Sequence, residues 1–343
     1  MALRLKPVGD QTMVITGASS GIGLAVARAA VARGAAVVIA ARNEEALEVV
    51  AEELRGQGGR VATCPADVAK EGDVERIAEA ADRAFGGFDT WVNNAAVTVY
   101  GTLEEIGMEE HRRIFDVDYF GQLRGSLVAL RHLRARGGGA IINMGSILSD
   151  FTIIKQGPYC AAKHAIRSMT ETLRMDVERD GLPISVTLIK PTGIYTPFPE
   201  HARNHMKLPP RIPQLIYAPE LVADAVLFAA EHPRRQLYVG GNGFLLSLTA
   251  RLFPRMTDRV MEAVMVRAQQ SRSDPGDPRL RDNLYEPRPD GDVESHQKFF
   301  FRRRSLFLEA QKRPALAFGL CCLAGVAAYA LSRSGRVRLQ ANG

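Results

Sequence analysis

A doubly wound α/β fold, a parallel sheet covered by helices on both faces, is what this chain predicts. Two patterns predict it. Short apolar, β-branched runs alternate with helical stretches from residue 12 to about 240. The first of these runs opens into a glycine-rich turn and then a helix. With 343 residues, 46% apolar and 24% charged, the chain has ordinary globular composition and can bury a large core. No repeat at solenoid spacing interrupts the alternation.

Residues 12–16 read as a buried strand and residues 22–33 as a helix. Between them runs Thr16-Gly17-Ala18-Ser19-Ser20-Gly21-Ile22-Gly23. Glycine permits a tight turn and lets the backbone approach a pyrophosphate with no Cβ in the way. The helix N-terminus that follows offers N–H groups to phosphate. The spacing is Gly-x3-Gly-x-Gly rather than the more general Gly-x-Gly-x2-Gly, and the plainer reading is a strand-to-helix turn with no ligand. The second strand, 37–42, ends in Ala41-Arg42. Dinucleotide folds selective for NAD place an acid there for the ribose 2′-hydroxyl. Here a guanidinium stands ready for a 2′-phosphate, which favours NADP over NAD. The alternative is a solvated arginine opening the next helix.

The third strand ends in Asp67-Val68, where Asp67 is placed to cap a helix. The fourth, 89–93, runs into Asn93-Asn94-Ala95-Ala96. Long helices are expected over about 109–136 and 157–180, and strands over 140–145 and 183–190. Residues 197–219 hold six prolines and cannot form one helix, so they read as a substrate lid. Its His201, Arg203, His205, Lys207 and Arg211 suit either an anionic substrate group or a solvated basic loop.

Three residues carry the chemistry. Tyr159 and Lys163 lie one helical turn apart, on one face. Ser146 precedes Tyr159 by thirteen residues and follows a strand, at the carboxyl edge where ligands bind. Reduction of a ketone needs a hydride on carbon and a proton on oxygen. A free phenol, with a pKa of about 10, exchanges protons poorly near neutrality, and a nearby ammonium is expected to lower that value. Tyr159 is then the general acid in reduction and the base in oxidation, while Ser146 orients the substrate oxygen. His164, on another face, reads as structural.

Glycine turn, Ser146, Tyr159 and Lys163, in this order, resemble the short-chain dehydrogenase/reductase family over residues 10 to about 245. The resemblance implies a Rossmann-type sheet and a nicotinamide cofactor. It implies that Asp67 contacts the adenine, that Asn94 and Ala95 line the cofactor and tie the central strands, and that Lys163 also holds the nicotinamide ribose. Ala96 stands where the family has glycine. Pro191 and Thr196 match the family's Pro-Gly-x3-Thr, with Thr192 for the glycine. Thr196 is thereby expected on the nicotinamide-side phosphate or carboxamide, and Ile194 against the nicotinamide face. Relatives pair as dimers or tetramers through the two long helices. One catalytic position departs. In Val117-Asp118-Tyr119-Phe120-Gly121 an Asp replaces the Asn that in the family holds a water linking the lysine to solvent. An ionised Asp accepts hydrogen bonds but cannot donate them. Asp118 either positions that water, pairs with Lys163, or marks weakened catalysis.

The net charge of +6 belongs to the C-terminal part. Residues 1–250 hold 27 Lys+Arg against 28 Asp+Glu, and residues 251–343 hold 17 against 10. The division expected is a catalytic domain over 1–245, an amphipathic helix over 246–270 started or kinked by Pro254, a polar linker over 271–298, and a basic, hydrophobic tail over 299–343. Residues 314–332 are uncharged; as a helix they reach roughly 28 Å, against a hydrocarbon core of about 30 Å. With Phe299-Phe300-Phe301 and Arg302-Arg303-Arg304 ahead of them, they read as a transmembrane or membrane-associated segment. The alternatives are a docking helix in an oligomer or a disordered tail. No basic stripe with interleaved aromatics argues for nucleic acid. Cys64, Cys160, Cys321 and Cys322 lack metal-ligand or disulfide-scaffold spacing, so no metal is expected. With no N-terminal signal segment, a cytoplasmic catalytic domain is expected. The expected activity is NADP-dependent oxidation or reduction of a secondary alcohol or ketone, lipophilic if the tail meets a membrane. The alternatives are an NADP-binding regulator that has lost turnover, and epimerisation or dehydration on the same fold.

Overall fold

The computed structural model describes residues 3–213, 215–272, 282–288 and 291–319. Strand β1 (Thr12–Thr16) leads into α1 (Gly21–Ala32). Then come β2 (Ala36–Ala41), α2 (Glu44–Gly56), β3 (Arg60–Pro65), α3 (Asp73–Phe85) and β4 (Thr90–Asn93). After the short β5 (Val99–Tyr100), α4 (Met108–Ile114) and α5 (Gly121–Arg136) are joined by a π-helical turn over Phe115–Phe120. Strand β6 (Gly139–Met144), α6 (Gly157–Arg179) and β7 (Ile184–Pro191) follow. Beyond the short β8 (Gly193–Ile194), β9 (Arg203–Asn204) and β10 (Ile216–Tyr217) lie α7 (Pro219–Glu231) and β11 (Gln236–Val239). The C-terminal part adds α8 (Gly241–Leu252), α9 (Pro254–Ala268), β12 (Phe301–Arg302) and α10 (Leu306–Lys312).

Seven parallel strands form the main sheet in the order β11-β7-β6-β4-β1-β2-β3. This is the doubly wound class that the alternation predicts. The strands are apolar throughout because both faces are covered: every residue of β1, β4 and β7 is buried. One face carries α1, α2 and α7; the other carries α3, α5 and α6. The order in which strands are added reverses between β1 and β4, and a crevice opens there at the carboxyl ends of the strands. A buried polar network fixes the centre. Trp91 Nε1 donates to Asn93 Oδ1, and Asn93 Nδ2 donates to Asn143 Oδ1 and Ser126 Oγ, at 2.7, 2.8 and 3.0 Å.

The structure departs from the sequence reading in three places. The helix expected over 109–136 is broken by the π-helical turn, a feature frequent at functional sites. Asp118 lies in that turn and is fully buried. The single helix expected over 246–270 is two, α8 and α9, meeting at Phe253-Pro254, because proline has no N–H to continue a ladder. Thirdly, Phe301-Arg302, read as part of a lipid-facing segment, pairs instead with Ile216-Tyr217 in a small sheet β12-β10-β8. The Phe301 ring stacks on Tyr195 with centroids 4.3 Å apart, while Phe300 is exposed. Most of the 314–332 run lies outside the described residues; among these, no helix is long and apolar enough to cross a membrane.

Candidate active site

The crevice is one continuous cavity of about 630 Å³. At one end lies the glycine turn. Gly17 and Gly21 have φ of +66° and +54°, which side chains rarely tolerate. A Cβ on Gly17 would sit 2.8 Å from Ala95 Cα, and one on Gly23 would sit 2.1 Å from Gly17 O. The turn is therefore closed on itself, held by Asn94, whose side-chain amide donates to Thr16 O and Gly17 O at 3.0 and 3.1 Å. Ser19, Ser20, Gly21 and Ile22 face the cavity; Gly23 packs behind them. This cradle at a helix N-terminus has the shape and polarity that a dinucleotide's phosphates require. Thr196 abuts it, since a Cβ on Gly21 would lie 3.4 Å from Thr196 Cβ. Pro191 and Ile194 line the neighbouring wall.

At the adenosine end, Ala41 and Val68 line the cavity with Arg42 and Asp67. Asp67 is ion-paired with Arg113 at 2.8 Å, both side chains largely buried. Arg42 is turned toward the C-terminal segment. Its guanidinium donates to the carbonyls of Asn283, Leu284 (3.4 Å) and Tyr285 (3.0 Å). Burial lowers its pKa, with Asp67 opposing and Arg113 adding to the shift.

At the other end stand Ser146, Tyr159 and Lys163. Ser146 follows β6 and caps a short 3-10 turn, its Oγ accepting from Leu148 N at 3.1 Å. Pro158, in the first turn of α6, starts the helix that carries Tyr159 and Lys163. The Ser146 side chain neighbours the Tyr159 phenol and acts to lower its pKa, against the larger effect of burial. Lys163 Nζ lies 5.2 Å from the centroid of the Tyr159 ring and donates to Met144 O at 3.2 Å. Asp118 Oδ2 faces Lys163 Nζ at 3.4 Å, and its Oδ1 accepts Val97 N–H at 2.8 Å. Of the three readings left open for Asp118, the structure has the direct pair. Burial raises the Asp118 carboxyl to about 6, with Lys163 opposing. Burial lowers the Lys163 ammonium, with Asp118 opposing. The expectation that Lys163 makes the phenol more acidic does not hold in this arrangement. Burial raises Tyr159 well above the ordinary phenol value, and the Asp118 carboxylate raises it further. With its pKa raised in this way, the phenol keeps its proton at neutral pH. His164 Nδ1 contacts Cys160 O at 2.8 Å, as a structural residue would.

Beyond Ser146 and Tyr159 the cavity is largely apolar, walled by Leu148, Phe151, Ile153, Leu246, Met261 and Met265, with Gln156, Asn242 and Thr249 also on its lining. Its charged lining residues are Arg42, Asp67, Lys163 and Arg288, none in this wall. Of the basic lid residues His201 lines the cavity, while three are engaged elsewhere. Arg203 pairs with Glu110 and Asp282, His205 with Glu110, and Arg211 Nε donates to Ala268 O. Leu148, Phe151 and Ile153 come from the loop after β6; sequence reasoning missed the other half, Leu246, Met261 and Met265, because it comes from α8 and α9, whose stripe reads only as amphipathic. It also missed Asn283, Pro287 and Arg288, which reach the cavity from the stretch read as a linker; the apolar pair Leu284-Tyr285 within that polar stretch was the only signal.

The model of the family described as short chain dehydrogenase matches residues 11–207. A Bacillus subtilis (strain 168) protein named uncharacterized oxidoreductase YxnA is 44% identical over 333 residues, covering 96% of this chain and 93% of its own length. A short-chain dehydrogenase/reductase from Burkholderia phymatum, solved with NAD, matches with a TM-score of 0.66 and 25% identity, over 81% of this chain and 99% of that one. L-sorbose reductase from Gluconobacter frateurii, solved with NADPH and L-sorbose, matches with a TM-score of 0.60 and 27% identity, over 70% and 98% of the two chains. Glycine cradle, sheet order and family match agree: the chain belongs to the short-chain dehydrogenase/reductase family of oxidoreductases.

Proposed function

We propose that this chain interconverts an apolar, uncharged secondary alcohol and its ketone using NADP(H). The observation that carries the reading is the meeting of Ser146, Tyr159 and the buried Lys163–Asp118 pair in one cavity with the glycine cradle. A nicotinamide dinucleotide bound along Gly17–Ile22 would supply or accept the hydride. Ser146 Oγ orients the substrate oxygen, and the protonated Tyr159 hydroxyl donates to it in reduction. Lys163, held over the tyrosine ring, keeps a positive charge beside the phenol as it loses its proton. NADP is preferred to NAD because Ala41 leaves no carboxylate for a 2′-hydroxyl and Arg42 borders the same space.

The apolar wall favours substrates without charge, since nothing in it would compensate a buried carboxylate or phosphate. Each methylene moved from water is worth about 0.8 kcal/mol, or roughly fourfold in kcat/KM. With NADPH oxidation followed by absorbance, a series of 2-alkanones of rising length is expected to gain roughly fourfold per carbon until the cavity fills. Open-chain polyols and 2-oxo acids are expected to be poor substrates. Better turnover of the polar set would remove the apolar assignment; no turnover of any carbonyl, with NADPH bound, would favour a regulator that has lost activity.

A lipid surface belongs to the same reading. Leu215 and Leu245 line the cavity yet are 49% and 62% exposed, so they mark its mouth. Beside them Leu248, Leu252, Phe253, Met256, Val260 and Val264 are exposed along α8 and α9, with Arg251, Arg255, Arg259 and Arg267. An apolar face with arginines around it suits an anionic bilayer. The full chain is expected to float with vesicles containing phosphatidylserine and less with pure phosphatidylcholine vesicles; flotation with neither would remove the membrane from the proposal.

A further inference from the structure

Two stretches of the C-terminal part, 282–288 and 291–297, are pinned on opposite sides of the Arg42 end of the groove. On one side Leu284 is fully buried among the residues of the core beneath α3 and α5. Its carbonyl accepts from Arg113 Nε at 2.9 Å as well as from Arg42. Asp282 Oδ2 pairs with Arg203 Nε at 2.9 Å, and Asn283 N–H donates to His201 O at 2.8 Å. Asn43, the residue after Arg42, donates from Nδ2 to Arg288 O at 3.1 Å. On the other side Gly21 N–H, at the start of α1, donates to Asp292 O at 2.9 Å. Gly291 passes so close to the glycine turn that a Cβ there would lie 3.2 Å from Ser19 O. Glu200 then holds the far end: its carboxylate accepts from Ser295 Oγ and from His296 N–H, and lies 2.8 Å from His296 Nδ1.

Asn283, Pro287 and Arg288 nevertheless line the same cavity as Arg42, Asp67 and Ser19, so the groove continues beneath the segment. We propose that the stretches 282–288 and 291–297 form a strap over the adenosine half of the groove, so that a nicotinamide dinucleotide enters and leaves only when the strap lifts. This rests on the reading that the groove holds such a cofactor. Two features couple strap and ligand. The guanidinium placed for a 2′-phosphate is also the strap's latch, and phosphate is a stronger partner for it than a carbonyl. The Gly21 amide, at a helix N-terminus suited to an anion, is likewise held by a strap carbonyl. The dinucleotide and the strap therefore compete for these two donors, while the buried Leu284 and the contacts of Arg203, Asn43 and Glu200 remain to hold the strap.

The test uses the full chain and two variants outside the catalytic group. Leu284→Ala loosens the buried anchor, and Glu200→Gln weakens the far end without touching the core. NADPH release, read by stopped-flow fluorescence on chasing with excess NADP, is expected to be about thirtyfold faster or more in Leu284→Ala, the lower end of the scale set by loss of a buried leucine side chain. Glu200→Gln is expected to move it in the same direction by less. Hydrogen exchange within 282–288 and 291–297 is expected to quicken when NADPH binds the parent protein, as the Arg42 and Gly21 donors turn to the phosphates. Release rates equal to the parent's in both variants, or strap exchange indifferent to NADPH, would overturn the proposal. Failure of the parent to bind NADPH or NADH at all would instead sink the dinucleotide reading, and the strap with it.

Discussion

Tyr159→Phe is expected to lower kcat by about 10²- to 10⁴-fold while leaving dinucleotide affinity little changed. The substitution removes one oxygen and keeps the ring, so the contact with Phe198, at 5.7 Å between centroids, survives. What is lost is the proton donor. Ser146 Oγ lies beside that phenol, but a free serine hydroxyl is a far weaker acid than a tyrosine, so it orients the oxygen without replacing the transfer. Because the phenol acts at the reacting oxygen, kcat and kcat/KM should fall together, with NADPH titration near the parent's. Undiminished turnover would sink the enzymatic mechanism whatever the glycine turn binds.

The second large effect concerns Asp118. Near neutral pH, Asp118→Ala is expected to cost about 3–5 kcal/mol of stability, because it leaves the Lys163 ammonium buried without its partner. Asp118→Asn removes the charge but keeps the shape, and it separates a structural role from a role in proton transfer. Burial raises the Asp118 carboxyl to about 6 in the folded protein, above its ordinary value. Its folded form thus holds a proton more tightly than its unfolded form. The contribution of this group to stability is greatest at pH below the ordinary carboxyl value and declines as pH rises toward about 6. Below about 6 the carboxyl is neutral; above it, the carboxylate raises the Tyr159 phenol further. The parent is therefore expected to show an inflection near pH 6 in kcat for reduction, and Asp118→Asn to lack it. Superimposable pH profiles would leave Asp118 as a packing residue only. Chemical denaturation of the three proteins checks the stability part independently.

Much of the site can be read from the chain because its parts are local. Gly17, Gly21 and Gly23 sit in one turn, and Tyr159 and Lys163 on one turn of one helix, so sequence spacing alone brings them together. Ser146 is legible because a strand that ends in Gly145 must deliver its next residue to the carboxyl edge of the sheet. Arg42 is legible as a position but not as a set of contacts. Its partners, Asn283 to Tyr285, lie some 240 residues away, and nothing local to either segment specifies the meeting. The same holds for the apolar wall. Met261 and Met265 recur at a helical period, which says that a face is buried but not against what.

The doubly wound sheet, the order of its catalytic elements and the residue types able to move a proton were settled by the sequence itself. Periodicity, turn chemistry and capping are short-range, and each acts within a few residues of its cause. Folding alone decided three things: the buried Asp118–Lys163 pair that holds back the tyrosine proton, the helical hairpin α8–α9 that makes the substrate end apolar, and the C-terminal stretches pinned at the groove. Each depends on distant parts of the chain excluding water from one another, and the energies of ion pairs and carbonyl contacts are set by that exclusion rather than by sequence order.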